Sequence, residues 1–303
     1  MSEAYPRDLV GYGDSPPRAD WPDDARLALS FVLNYEEGGE ACVLHGDAAS
    51  EAYLHEVPGA VARVGQRDLN VESIYEYGAR AGFWRLLRLF RERGLTLTVY
   101  AVGMALQRNP AAARAMVDAG FEVASHGWRW IDYQNVPEDQ ERADVRRAIE
   151  AIEQTTGRRP VGWYTGRISP RTRRLVVEAG GFLYDSDSYA DDLPYWVKVA
   201  GTAHLVVPYT LDNNDMKFAV QNGFDHGEGF FQYLRDAFDV LYAEGVERPK
   251  MMSVGLHCRL AGRPGRAAAL ARFVDYARSH ERVWITTRAE IARHWHRRHP
   301  CPT

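Results

Sequence analysis

The chain has 303 residues, 46% hydrophobic and 12% aromatic, enough apolar content for the core of one large α/β domain. Lys and Arg number 37 against 41 Asp and Glu, a formal net charge of -4, so charge gives no reason to expect nucleic acid or an anionic membrane as partner. Cys42, Cys258 and Cys301 are odd in number, widely spaced and without CxxC or Cys/His metal spacing, and they read as free thiols of a reducing, cytoplasmic setting. Residues Met1 to Asp8 carry neither the basic nor the apolar region of a signal peptide, and no run approaches the ~20 apolar residues of a membrane span.

Residues 1–26 are rich in Pro, Gly and Asp and predict an extended arm leading into a single catalytic domain that takes up the whole chain. Leu27 to Leu33 is a short apolar run that stops at Asn34-Tyr35-Glu36-Glu37-Gly38-Gly39, the pattern of a buried strand ending in an acidic, glycine-rich loop. Over 40–82 no period is sustained, which predicts a long, partly ordered excursion over one end of the fold. Strands and helices then alternate. The stripe at 83, 86, 87 and 90 predicts a helix ending at Gly94, followed by a strand over 95–102 and a helix over 110–119 that opens on Asn-Pro. A strand over 121–124 delivers His126, and a charged amphipathic helix over 138–156 leads to a strand at 161–164. A helix capped by Ser169 runs to Ala179. Further on come a strand at 205–207, a helix over 229–244, a strand at 251–256 delivering His257, a helix over 266–279, a last strand at 283–286 and a terminal helix over 288–296. About seven strand–helix units predict a (β/α) barrel, complete or distorted, with an open doubly wound sheet as the alternative. No glycine-rich phosphate loop follows a strand, so no nucleotide cofactor is expected.

Parallel α/β folds carry their chemistry at the carboxyl ends of strands. That frame places Glu36 and Glu37, His126, Tyr164 to Arg167, and His257 to Arg259 at such ends, with Asp185 and Asp187 after a short strand. Taken singly, the two glutamates also fit a solvated turn, the histidines a structural role, the arginines surface ion pairs and Asp185 a turn cap. Shared placement is what makes them a candidate acid–base set.

The chain resembles the polysaccharide deacetylase superfamily. That family's first motif, a strand ending in two acids, one a base and one a metal ligand, corresponds here to Ser30 to Gly38. Its second motif has two histidines four apart; here Ser125-His126-Gly127-Trp128-Arg129-Trp130 puts Trp130 where the second histidine would stand. The late histidine motif corresponds to Gly255-Leu256-His257-Cys258-Arg259. An indole N–H only donates and cannot ligate a metal, and one histidine with a carboxylate falls short of three protein ligands. Within the superfamily the chain is similar to the metal-independent allantoinase branch, through Tyr5 to Gly13, Val32 to Gly39, Glu72 to Gly78, Gly162 to Arg167 and Tyr184 to Asp187.

The resemblance implies a distorted (β/α) barrel of the polysaccharide deacetylase type, no metal and no cofactor, a small cyclic ureide or imide as substrate, and assembly into a tetramer. It implies hydrolysis of allantoin to allantoate, with Glu37 or Glu36 as base toward water and His126 and His257 orienting water, stabilising the oxyanion or protonating the leaving nitrogen. Trp130 then closes the former metal cavity and packs on the flat ring. Arg167, Arg259 and Asp187, with Tyr164 and Asp185, are the expected substrate-binding set. The alternatives are a cyclic imide hydrolase, a metal-dependent N-deacetylase of acetylated glycans, and a non-catalytic binding protein on the same barrel.

Overall fold

The computed structural model describes residues 5–59 and 61–301. Among the described residues nine strands form one curled sheet: β1 (Leu27–Tyr35), β2 (Thr98–Ala101), β3 (Glu122–Ser125), β4 (Gly162–Trp163), β5 (Tyr184–Asp185), β6 (Tyr195–Val199), β7 (Thr202–Val206), β8 (Lys250–His257) and β9 (Val283–Ile285). They lie in the order β6-β7-β5-β4-β3-β2-β1-β8, and β9 pairs in parallel with the first three residues of β1, below the residues that pair with β2. All neighbours are parallel except the β6–β7 hairpin. The ring does not close by regular pairing. Across the gap, the backbone–backbone hydrogen bonds from β8 among the described residues run from Met251 N to Asp192 O (3.1 Å) and from Gly255 N to Asn213 O (2.9 Å). The fold is the expected distorted barrel.

Both faces of β1, β2 and β8 are buried, so strand alternation sorts residues between an outer apolar layer and the barrel interior. Leu29, Phe31, Leu33 and Tyr35 of β1 face outward into the main core, with Val99, Ala101, Val254 and Leu256. The α-helices among the described residues are α1 (Leu69–Tyr77), α2 (Phe83–Glu92), α3 (Gly103–Arg108), α4 (Pro110–Asp118), α5 (Glu138–Thr156), α6 (Thr172–Ala179), α7 (Gly227–Glu244), α8 (Pro264–Arg278) and α9 (Arg288–Arg298), and α2, α3, α4, α7 and α8 pack on that core. Val32, Tyr100, Ala124, Tyr164 and Tyr209 face inward as a separate cluster, with Tyr100 and Tyr164 stacked at 4.8 Å. Below them Arg288, at the start of α9 (Arg288–Arg298), is fully buried. It donates from Nη1 to Ser253 Oγ (2.6 Å), from Nη2 to Ser186 Oγ (3.0 Å) and from Nη2 to Pro208 O (2.6 Å). One arginine thus ties β5, β8 and the segment after β7 together across the interior.

Several elements depart from the sequence reading. Within 40–82, α1 (Leu69–Tyr77) is capped by Asp68, whose carboxylate accepts from Asn70 N and Val71 N, and it runs through a π turn at Gly78–Gly82 into α2. Its buried stripe is only Val71 and Tyr75, too thin to register as periodicity. The β6–β7 hairpin was read only at its last residues, because its turn is made by Ala200 (φ 48°) and Gly201 (φ 85°), and alanine is not a residue that signals left-handed backbone. The end of the N-terminal arm docks on the domain. Ala19, Trp21 and Ala25 are buried, and Trp21 packs against Trp295 of α9 at 5.8 Å.

Replacing Arg288 with leucine leaves two backbone carbonyls and three serine hydroxyls without their charged donor inside the barrel. The expected cost is about 3 kcal/mol, read as a lower urea midpoint at unchanged slope. An unshifted midpoint would show that the interior closes without it.

Candidate active site

The carboxyl ends of β1, β3 and β8 bring Glu36, His126 and His257 together. Alternation along β1 separates the two adjacent glutamates: Glu36 shares the inward parity of Ser30, Val32 and Asn34, and Glu37 that of outward Tyr35. Glu36 Oε1 lies 3.3 Å from His126 Nε2 and 3.4 Å from His257 Nε2, and its Oε2 lies 2.7 Å from Arg259 Nη1. Glu37 turns behind the site, where its Oε2 accepts from Glu36 N (3.0 Å). A Cβ at Gly78 would fall 2.3 Å from Glu37 Oε1, so the π turn needs glycine there to let α1 close over this carboxyl.

Each histidine is oriented by its other nitrogen. His126 Nδ1 donates to Tyr164 O (3.0 Å), since a carbonyl only accepts, and this turns Nε2 toward Glu36. His257 Nδ1 donates to Asp215 Oδ1 (2.6 Å), while Asp215 Oδ2 accepts from His257 N (2.7 Å) and Ala261 N (2.8 Å). Asp215 was not singled out in the sequence. It follows β7 in a stretch without strand or helix period, and only the polar run Asp212-Asn213-Asn214-Asp215 signals it.

Burial acts to raise the Glu36 carboxyl, but the charges of Arg259 and His257 and the two histidine hydrogen bonds outweigh it and hold it well below the usual carboxylate range. For Glu37, burial prevails over the attraction of Arg259, and with repulsion from Glu36 it lifts the carboxyl to about 7. Burial would lower His257, yet Asp215 and Glu36 raise it to about 9. The imidazolium therefore stabilises the fold most fully below the unfolded value near 6.5, and that contribution is lost as pH rises toward and through 9.

A cavity of about 190 Å³ is lined by Glu36, His126, His257, Trp130, Tyr164, Arg167 and Tyr209 among others. Tyr53 and Leu54, from the excursion after β1, also line it. Tyr53 stacks on Trp130 at 5.9 Å, and Arg167 sits over both rings while pairing with Glu51 at 3.2 Å. Leu54 has φ 56°, a strained backbone for a leucine, and its carbonyl accepts from Arg259 Nε (3.1 Å).

The structure gathers Glu36, His126, His257, Trp130, Tyr164 and Arg167 around one cavity and sets the other expected residues apart from its walls. Glu37 lies behind Glu36, and Arg259 is wholly buried beneath it. Asp185 does not reach a substrate; it is bound by Arg173 (2.7 Å) and His204 (3.0 Å). Asp187 accepts from Thr165 N (2.9 Å) and Gly166 N (2.7 Å), which consumes its carboxylate in shaping the turn that carries Arg167. Asn34, Tyr53, Tyr189, Tyr209 and Asn214 also line the cavity; Tyr53, Tyr189 and Asn214 come from segments with no strand-end signature, while Asn34 and Tyr209 stand at predicted strand ends without a charge to mark them.

These residues do not fit a metal. Among the described residues no group of three His, Cys, Asp or Glu side chains is placed to hold an ion. The second histidine position is an indole, and a guanidinium already neutralises Glu36 at 2.7 Å, so a divalent ion there would meet like charge.

An α/β half-barrel with a buried carboxylate, two imidazoles and a small cavity at its strand ends defines a hydrolase-class acid–base centre. The chain belongs to the polysaccharide deacetylase family, whose sequence profile matches residues 66–181. It is 44% identical to a "Putative polysaccharide deacetylase" of Schizosaccharomyces pombe, over 97% of this chain and 98% of that one. Among solved structures it is similar to PuuE allantoinase, with 60% identity and TM-score 0.97 over 99% of this chain and 100% of that one. It is also similar to a "probable Polysaccharide deacetylase" of Pseudomonas aeruginosa, with 63% identity and TM-score 0.96 over 98% and 100% of the two chains. Among the described residues no helix is long and apolar enough to cross a membrane.

Glu37 gives a separate test of these electrostatics. Its folded value of about 7 lies above the ordinary 4.5, so wild type loses stability as pH rises through that interval, whereas Glu37→Gln cannot ionise. The variant should gain about 3 kcal/mol relative to wild type between pH 4.5 and pH 8, read from urea unfolding at both pH values. A pH-independent difference would contradict this placement.

Proposed function

We propose that this chain hydrolyses a ring C–N bond of a small cyclic ureide, with allantoin opened to allantoate as the leading reaction. The observation that carries the reading is a single carboxylate oxygen, Glu36 Oε1, set between two imidazole Nε2 atoms on the floor of a small cavity roofed by Tyr53 and Leu54. Volume and roof suit a compact ring held by paired donors and acceptors better than a sugar chain, which needs an open groove. The strong similarity to PuuE allantoinase supports the same substrate class.

In this reading a ring carbonyl lies above Glu36, with Arg167 and the aromatic walls fixing the ring. Water bound at Glu36 Oε1 and His126 Nε2 loses a proton to that pair as its oxygen adds to the carbonyl. His257, charged below about pH 9, stabilises the oxyanion and donates a proton to the departing ring nitrogen as the C–N bond breaks. The proton held by the Glu36–His126 pair then restores His257, so one water is consumed. The leaving nitrogen lies between two carbonyls, and its charge is delocalised as a ureide anion. Preorganised donors therefore have less to supply than an acetamido sugar would demand.

The second reading is N-deacetylation of a glycan, favoured by the family and by the name of the yeast relative. A panel of allantoin, hydantoin, succinimide and an acetylated chito-oligomer, each with and without EDTA, separates the two. Expected is turnover of allantoin that EDTA leaves intact; release of acetate, abolished by EDTA, would overturn the proposal. Glu36→Gln should lower kcat by roughly 10³-fold while Glu37→Gln keeps turnover, and the reverse pattern would move the base to Glu37. The dependence of kcat on pH should fall as pH passes about 9, where His257 loses its proton, and a flat profile from pH 7 to 10 would remove it as the acid.

A further inference from the structure

Arg259 is fully buried and does not line the cavity, so its charge serves other side chains. Its Nη1 lies 2.7 Å from Glu36 Oε2 and 3.7 Å from Glu37 Oε1, between the two carboxylates at the end of β1. The guanidinium plane is held by rings, with its carbon 4.3 Å from the Tyr75 centroid and 5.2 Å from that of Trp130. Its Nε is fixed by Leu54 O at 3.1 Å. The packing is deliberate at backbone level: a Cβ at Gly82 would fall 1.9 Å from Cys258 O, so the π turn approaches the Cys258–Gly262 turn only as glycine and brings Tyr75 down onto the arginine.

We propose that Arg259 is a built-in cation that stands in for a metal's charge between Glu36 and Glu37, a positioning residue that keeps Glu36 ionised with its Oε1 turned to the two imidazoles. The inference rests on the hydrolytic reading for its purpose, but not for its test. The titratable groups facing Arg259 and Glu36 are Glu37 and Glu40 after β1, Glu51, Tyr53 and His55 on the covering segment, Tyr75 on α1, His126, and His257 with Asp215 and Cys258. His257 loses its charge as pH passes about 9, whereas a guanidinium keeps its own. Burying Glu36 as a carboxylate above that pH therefore requires Arg259.

The test is the Glu36 titration, read by carboxyl-carbon NMR on glutamate-labelled protein with Glu36→Gln identifying the signal. In Arg259→Gln the midpoint should move upward by about 1–3 pH units, the effect of removing an adjacent opposite charge, and guanidinium ion added to Arg259→Ala should move it back down. An unmoved midpoint in folded Arg259→Gln overturns the proposal. If that variant does not fold at neutral pH, the double variant Glu36→Gln/Arg259→Gln decides. Recovery of folding in the double supports mutual compensation of the two charges, and failure to recover overturns it. Because NMR reads no turnover, a shifted titration in a chain that opens no ureide ring would sink the proposed function alone. Turnover with an unmoved titration would sink only this proposal.

Discussion

A carboxylate 1% exposed is the constraint around which the end of the barrel is arranged. An uncompensated ion at that depth would cost several kcal/mol and would take up a proton instead. Glu36 stays charged because three groups converge on it: one guanidinium and two imidazoles, each fixed by a further partner. Tyr75 and Trp130 hold the guanidinium, Asp215 holds His257, and the Tyr164 carbonyl holds His126. Glycines 78 and 82, the π turn and the left-handed Leu54 are consequences of fitting helix, strand end and covering segment around that one charge.

The same logic gives the adjacent glutamates opposite behaviour. Glu36 has a cation at 2.7 Å and two imidazoles, and its carboxyl is held down; Glu37 sees the same arginine from 3.7 Å, with Glu36 beside it, and is lifted to about 7. One step along a strand turns a residue from the barrel interior to the outer layer. The difference in chemistry between two identical side chains is therefore a matter of strand parity.

That parity was present in the sequence in part. Within the run Leu27 to Tyr35 the polar residues are Ser30 and Asn34, both in phase with Glu36, while Phe31, Leu33 and Tyr35 are in phase with Glu37. Alternation was hidden because a parallel strand buried on both faces reads as continuously apolar, and Val32 supplies an inward apolar residue in the polar phase. Trp130 was legible for a different reason: residue type alone excludes an indole as a ligand. Arg259 was legible as important but not in its role, since an arginine after a strand-end histidine can as well reach a substrate as a neighbouring carboxylate.

What the sequence determined by itself is the alternation of strands and helices, hence a mainly parallel α/β sheet, and the strand ends at which Glu36, His126, Tyr164 and His257 emerge, because local period and burial are written in neighbouring residues. Tertiary structure alone decided which glutamate faces the cavity, that Asp215 backs His257 across 42 positions, that Asp185 and Asp187 are spent on structure, and that Arg259 lies beneath the site rather than in it. Those outcomes depend on distances between segments far apart in the chain, and no local pattern encodes them.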